Sequence, residues 1–244
     1  MSHPLLITKK GLAIPLPLEE SLFHPGVKGE NHFLWDGKRL RWVDLTDGIL
    51  SIDFLAPQLQ WRYRHLNRKQ EPLLRALDWK SDAQKRLWDF TAGLGRDALL
   101  LLHAGFQVTM YERNPILQLL LFDACNQFIQ KNPHYRGGLN LTKKDALTLN
   151  VREIPDDKRP HHIYLDPMYP ERKKSALVKK ELRIIRNLVG SDSDSDQLLN
   201  QALMIAKERV VVKRPQGAPY LADRPPHYSV EAPNTRYDIY PVFD

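Results

Sequence analysis

The chain has 244 residues, enough for one full core and a small appended unit, since compact domains usually span about 100 to 200 residues. Hydrophobic residues make up 42% and charged residues 27%, a balance that excludes a mainly disordered chain. The formal charge of +7 favours polyanionic partners. The single cysteine, Cys125, excludes an intrachain disulfide and a cysteine-built zinc cage. No stretch approaches the ~18 apolar residues of a membrane span, and the first twenty residues lack the apolar run of a leader. The expectation is a soluble cytoplasmic protein with no membrane partner.

In chain order, residues 40–45 and 49–54 read as strands joined by the turn Thr46-Asp47-Gly48. Residues 1–80 are therefore expected to form a small β-rich N-terminal subdomain with a basic linker, ahead of a larger α/β domain over residues 81–244. Residues 61–70 are basic and partly aromatic, and are read either as a solvated linker or as an RNA contact; a short helical stretch follows at 72–77. From residue 86 strand and helix signals alternate, which predicts a mostly parallel sheet with helices on its faces. Strands are expected at 86–90, 107–111, 138–141, 162–165 and 208–213. Asn114 caps, and Pro115 opens, a helix over 116–130 that contains Cys125 as small core filling. Residues 236–243 read as a late edge strand, because Pro241 is tolerated at an edge or a bulge.

The segment 87–97, Leu-Trp-Asp-Phe-Thr-Ala-Gly-Leu-Gly-Arg-Asp, runs from an apolar strand through a glycine turn into a helix. Gly93 and Gly95 let the backbone approach a ligand closely, and the helix N-terminus points amide groups at the crevice above the strand ends. Nineteen residues beyond Gly93, Glu112 closes the next strand, where a carboxylate accepts hydrogen bonds from ribose hydroxyls. The same loop satisfies G-x-G-x-x-A through Ala98, so a nicotinamide oxidoreductase is the rival reading. Three features favour S-adenosylmethionine instead. Asp89 stands before the glycines, where it meets the cationic end of an amino-acid cofactor. Asp145-Ala146, past the third strand, offers an acceptor for an adenine amine. No Tyr-x-x-x-Lys pair for hydride transfer stands downstream.

The fourth strand ends in Asp166-Pro-Met-Tyr-Pro170. A polar-proline-aromatic loop there suits methylation of a planar amine, whose lone pair is delocalised into its ring. Asp166 and the Pro167 carbonyl would accept the two N–H bonds and direct the lone pair, while Tyr169 stacks on the base. Alignment and charge placement then supply most of the rate, because a methyl sulfonium is already a reactive donor.

Five ordered motifs carry a resemblance: Asp89 to Ala98, Glu112-Arg-Asn-Pro115, Leu165 to Pro170, Lys174 to Glu181 and Val210 to Pro215. Together they resemble the bacterial ribosomal RNA small subunit methyltransferase J family over roughly residues 60–243. The resemblance implies a Rossmann-like class I S-adenosylmethionine-dependent methyltransferase domain acting on N2 of a guanosine near the 3′ end of 16S ribosomal RNA in the small subunit. Another exocyclic amine of RNA is the alternative acceptor. It also implies cofactor contacts from Arg96 and Asp97, Glu112 and Arg113, Asp145 and Ala146, and Asp166. The family's Gly-rich basic stretch stands here as His65-Leu-Asn-Arg-Lys69, and a Ser-Ser pair of some relatives as Asp145-Ala146.

Beside the catalytic loop, residues 172–186 read as an amphipathic basic helix, with Leu177, Leu182 and Ile185 on one face. Lys179, Arg183 and Arg186 on another face are expected to bind RNA phosphates, with Lys213 and Arg214 extending the patch. The run Ser191 to Asp196 is read as the capped start of a helix, not as a metal site, and His161 and His162 as structural histidines, so no metal is expected.

Overall fold

The computed structural model describes residues 5–8, 24–25, 30–67, 69–80, 85–168, 180–190 and 194–243. The N-terminal strands are β1 (Leu5–Thr8), β2 (His24–Pro25), β3 (His32–Trp35), β4 (Leu40–Asp44) and β5 (Gly48–Leu50). They form one sheet in the order β2-β1-β3-β4-β5, antiparallel across β3, β4 and β5. Burial alternates along β3 and β4, so one face carries Phe33, Trp35, Leu40 and Trp42 into the core. The expected strand over 49–54 stops at Leu50; Ile52 and Phe54 are buried from an irregular segment. Residues 61–70, read as linker or contact, begin inside helix α1 (Pro57–Arg64), and α2 (Pro72–Ala76) follows.

The second sheet comprises β6 (Arg86–Asp89), β7 (Gln107–Tyr111), β8 (Leu139–Thr142), β9 (His162–Leu165), β10 (Arg209–Pro215), β11 (Tyr228–Glu231) and β12 (Thr235–Pro241). Between these strands lie α3 (Arg96–His103), α4 (Pro115–Lys131), α5 (Lys180–Val189) and α6 (Ser195–Ile205). The order is β11-β12-β10-β9-β6-β7-β8; β6 to β10 are mutually parallel, and β11 and β12 are antiparallel to their neighbours. All four residues of β9 are buried, as a central parallel strand covered on both faces requires. The chain leaves β6 toward β7 and β8 and then returns to lay β9 on β6's other side. That reversal opens a crevice above the strand ends, where ligands bind in such sheets.

The C-terminal strand is not the edge. β11 pairs on its outer side, and β11 escaped the sequence reading because it buries only Val230 and so shows little apolar patterning. Pro241 is tolerated because it is the last residue of β12.

The N-terminal sheet is fastened to α4. Leu40 N–H donates to the buried Asp123 carboxylate at 2.8 Å, and Phe54 meets Phe128 edge-on at 6.3 Å. One apolar cluster runs continuously from Phe33 and Trp42 through Leu99 and Leu121 to Tyr164 and Ile239. A second, on the other side of the sheet, joins Phe90, Ile163 and Val212 to α6. Asn114 accepts from the N–H groups of Ile116 and Leu117 and so caps α4, as its position before Pro115 predicts. Cys125 is buried on this helix, and burial pushes its thiol up to about 12.

Candidate active site

A cavity of about 350 Å³ occupies the crevice, within the usual range of about 300 to 1,000 Å³ for small-molecule sites. Its polar groups come from the ends of successive parallel strands: Asp89 from β6, Glu112 after β7, Asp145 after β8, Asp166 after β9 and Lys213 from β10. Convergence on one crevice follows from strands that share a direction.

The turn between β6 and α3 needs both glycines, which have φ of +53° at Gly93 and +67° at Gly95. Gly93 lines the cavity. Gly95 stands behind it as the N-cap of α3, where an added Cβ would come within 2.6 Å of Phe54 and 2.9 Å of Leu121. Asp97 then sits in the first turn of α3, where negative charge suits the helix dipole.

Asp89 is fully buried and accepts the Thr91 N–H at 3.0 Å. Burial first, then the nearby carboxylates Asp97, Asp166 and Glu112, push its pKa up to about 8. A cationic ligand beside it would reverse that balance and favour the carboxylate. Glu112 accepts the N–H groups of Gly93 at 2.9 Å and Asn114 at 2.8 Å, one on each oxygen. Burial raises its pKa, and those amides pull it back. Asp145 accepts the Leu147 N–H at 2.9 Å and so caps the turn that places buried Ala146 in the cavity wall.

Directly after β9, Asp166 N–H donates to Thr91 Oγ1 at 2.6 Å, tying the end of β9 to the turn after β6. Lys213 Nζ lies 2.9 Å from Asp166 Oδ2 and 3.1 Å from Asp97 Oδ2. The hydroxyl of Tyr164 donates to Asp97 at 2.6 Å. Burial opposes the Lys213 charge, but Asp166 and Asp97 outweigh it and hold its pKa above the ordinary lysine value. Burial likewise raises the Asp166 carboxyl, and Lys213 pulls it back. Pro167 is buried. Tyr169, expected to stack on the base, lies outside the described residues.

Of the other expected residues, Arg96 and Arg113 also line the cavity. Arg96 pairs with Glu181 of α5 at 2.9 Å, and Arg113 with Asp194 at 2.6 Å. Lys213 and Arg214 do not extend an outer basic patch. Adjacent strand residues point to opposite faces: Lys213 enters the cavity, whereas Arg214 is buried and donates to the Pro219 carbonyl at 3.1 and 3.3 Å. On α5, Arg183 is exposed but bonded to Asp47 at 2.8 Å, and Arg186 is half-buried. Leu182 and Ile185 line the cavity, as one apolar face of that helix. Leu177 and Lys179 lie outside the described residues.

Sequence reasoning missed Arg62, Thr91, Tyr164 and Asp194 as cavity residues. Tyr164 left a signal, since a hydroxyl inside an otherwise apolar strand needs a buried partner. His162 is buried against Phe106, and burial drives its pKa down to about 2, so it is neutral packing. Among the described residues no group of three or more His, Cys, Asp or Glu is placed to hold a metal ion, and no helix is long and apolar enough to cross a membrane.

A SAM-dependent methyltransferase family model matches residues 31–242. The chain is 40% identical over 215 residues to the ribosomal RNA small subunit methyltransferase J of Desulfotalea psychrophila, covering 85% of this chain and 81% of that one. The corresponding protein of Haemophilus influenzae is 41% identical over 197 residues, covering 79% and 75%. The crystal structure of a SAM-dependent methyltransferase from Neisseria gonorrhoeae superposes with a TM-score of 0.70 at 28% identity, covering 89% of this chain and 85% of that one.

Proposed function

Because the chain belongs to the ribosomal RNA small subunit methyltransferase J family, we propose that it methylates the exocyclic N2 of a guanosine in 16S ribosomal RNA of the small subunit. The observation that carries this reading is the cavity rimmed by Asp89, Asp97, Glu112 and Asp166, with the Asp166 loop at the switch point. Such a rim suits a cofactor bearing an ammonium and a sulfonium. It opposes the pyrophosphate of a nicotinamide dinucleotide, which would face the same carboxylates.

When bound, S-adenosylmethionine supplies a methyl group on a sulfonium centre. Asp89 would hold the ammonium, Glu112 the ribose hydroxyls and Asp145 the adenine amine, with Ala146 and Leu147 along the adenine edge. Asp166 and the Pro167 carbonyl would accept the two N–H bonds of the guanine amine and turn its lone pair toward the methyl. The surplus proton has an Asp166 carboxylate oxygen as its first acceptor. Lys213 is a positioning residue: its charge offsets the effect of burial on the Asp166 carboxyl and its hydrogen bond fixes the rotamer. Tyr169 is proposed as the stacking platform for the base.

The test is incubation with radiolabelled methyl donor and unmodified small-subunit RNA or particles, followed by nucleoside analysis. Label is expected in N2-methylguanosine. Asp166→Ala should abolish turnover in a folded protein. Lys213→Met should lower kcat by about 10²-fold, the scale of a 1 Å misplacement, with little change in KM. Label in another nucleoside, full activity of Asp166→Ala, or tight NADH binding without a response to S-adenosylhomocysteine would overturn the proposal.

A further inference from the structure

Helix α1 carries an exposed face that meets the cavity only at its margin, through Arg62. At about 100° per residue, Arg64, Trp61, His65 and Arg62 follow one another round roughly 160° of the helix, with Tyr63 on the opposite side. Tyr63 is buried and its hydroxyl donates to the Arg96 carbonyl, which anchors α1 to the start of α3. The other four residues are exposed. Trp61 is 65% exposed and lies nearly parallel to the His65 ring, with centroids 4.6 Å apart and planes at 27°. Arg62, at one end of this face, lines the cavity. Among the described residues it faces the carboxylate of Glu71 at 3.8 Å.

A flat aromatic pair flanked by guanidinium groups, beginning at the mouth of a methyl-transfer cavity, has the composition of a single-strand stacking platform. Every base has a π-face for the indole, and the arginines match the phosphates on either side. An exposed tryptophan fixed by its helical neighbour loses little freedom when a base covers it.

We propose that Trp61, backed by His65, stacks a nucleotide flanking the target guanosine, while Arg62 and Arg64 bind the adjoining phosphates. This rests on the RNA reading of the site and adds to it a second base-binding position outside the cavity. It also separates two energetic contributions. Stacking is insensitive to salt, whereas each phosphate contact steepens the salt dependence of binding.

Binding to unmodified small-subunit RNA is measured over a salt series for the wild type, Trp61→Ala, Trp61→Phe and the pair Arg62→Ala, Arg64→Ala, with thermal melting of each variant as a control for folding. Trp61→Ala should weaken RNA binding roughly tenfold, the scale of one lost stacked base, with an unchanged salt slope. Trp61→Phe should keep most of the affinity. The arginine pair should make the slope shallower by about 1.4 units, the single-strand value for two phosphate contacts. Unchanged RNA affinity in Trp61→Ala overturns the inference, as does a loss seen with ribosomal particles but not with naked RNA, which would mean a protein partner. If wild type and Trp61→Ala methylate RNA with the same KM, only this inference fails. If the wild type neither binds nor methylates RNA, the substrate reading fails with it.

Discussion

Asp89 shows how a single side chain can be held out of its ordinary ionisation range by its surroundings. Its pKa of about 8 in the folded protein stands against 3.8 for the free group. The native state therefore binds more protons than the unfolded state between roughly pH 4 and pH 8, and stability falls as pH rises through that window. Asp89→Asn removes the titrating group, so it should raise the melting temperature at pH 8 relative to the parent, with a smaller gain at pH 5. Thermal melts across this range check it; an equal gain at both values would remove Asp89 from the pH response. At this scale much of the cavity lining was legible, because Asp89 ends, and Glu112, Asp145 and Asp166 follow, strands that composition reveals. Lys213 was legible as a charge but not as a partner. Its meeting with Asp166 joins residues 47 positions apart, and no local pattern encodes such a contact.

The strand-turn-helix unit from β6 to α3 distinguishes two glycines that look alike in the sequence. Both occupy the left-handed region, but an added Cβ at Gly93 meets nothing closer than a carbonyl oxygen at 3.8 Å, while at Gly95 it collides with Phe54 and Leu121. Gly93→Ala should therefore cost about 1 kcal/mol, the backbone penalty alone. Gly95→Ala should cost about 1 to 3 kcal/mol more through overpacking. Urea denaturation of the two variants checks the order, and equal costs would show that Phe54 yields without penalty. The elements of the parallel sheet were readable from the sequence because buried parallel strands are continuous apolar runs bounded by turns. Three kinds of element were not. β3 is four residues long, β11 buries a single residue, and α1 looks like a solvated basic segment because only Tyr63 of its eight residues is buried.

Over the whole molecule, the N-terminal sheet shares its apolar cluster with the parallel sheet. Asp47 of that sheet's turn also holds Arg183 and Asn187 of α5 at 2.8 and 2.9 Å, so the N-terminal unit braces the helix beside the cavity. The cavity itself draws groups from Arg62 to Lys213, a span that encloses most of the chain. Contacts so distant in sequence form only after large loops have closed, which costs chain entropy and slows folding. No piece shorter than that span carries every group of the pocket, so its ligand recognises the folded chain over the unfolded one. Binding energy then becomes folding energy. At a hundred times its dissociation constant, S-adenosylhomocysteine should add about 2.7 kcal/mol to the native state, raising the melting temperature by roughly 5 to 10 °C for a chain of this size. A melting temperature unmoved by saturating ligand would mean that the pocket survives in the unfolded ensemble or is not the binding site. The scattered origin of the pocket thus makes the cofactor a folding partner of the polypeptide, and starvation for it should expose the chain to proteolysis.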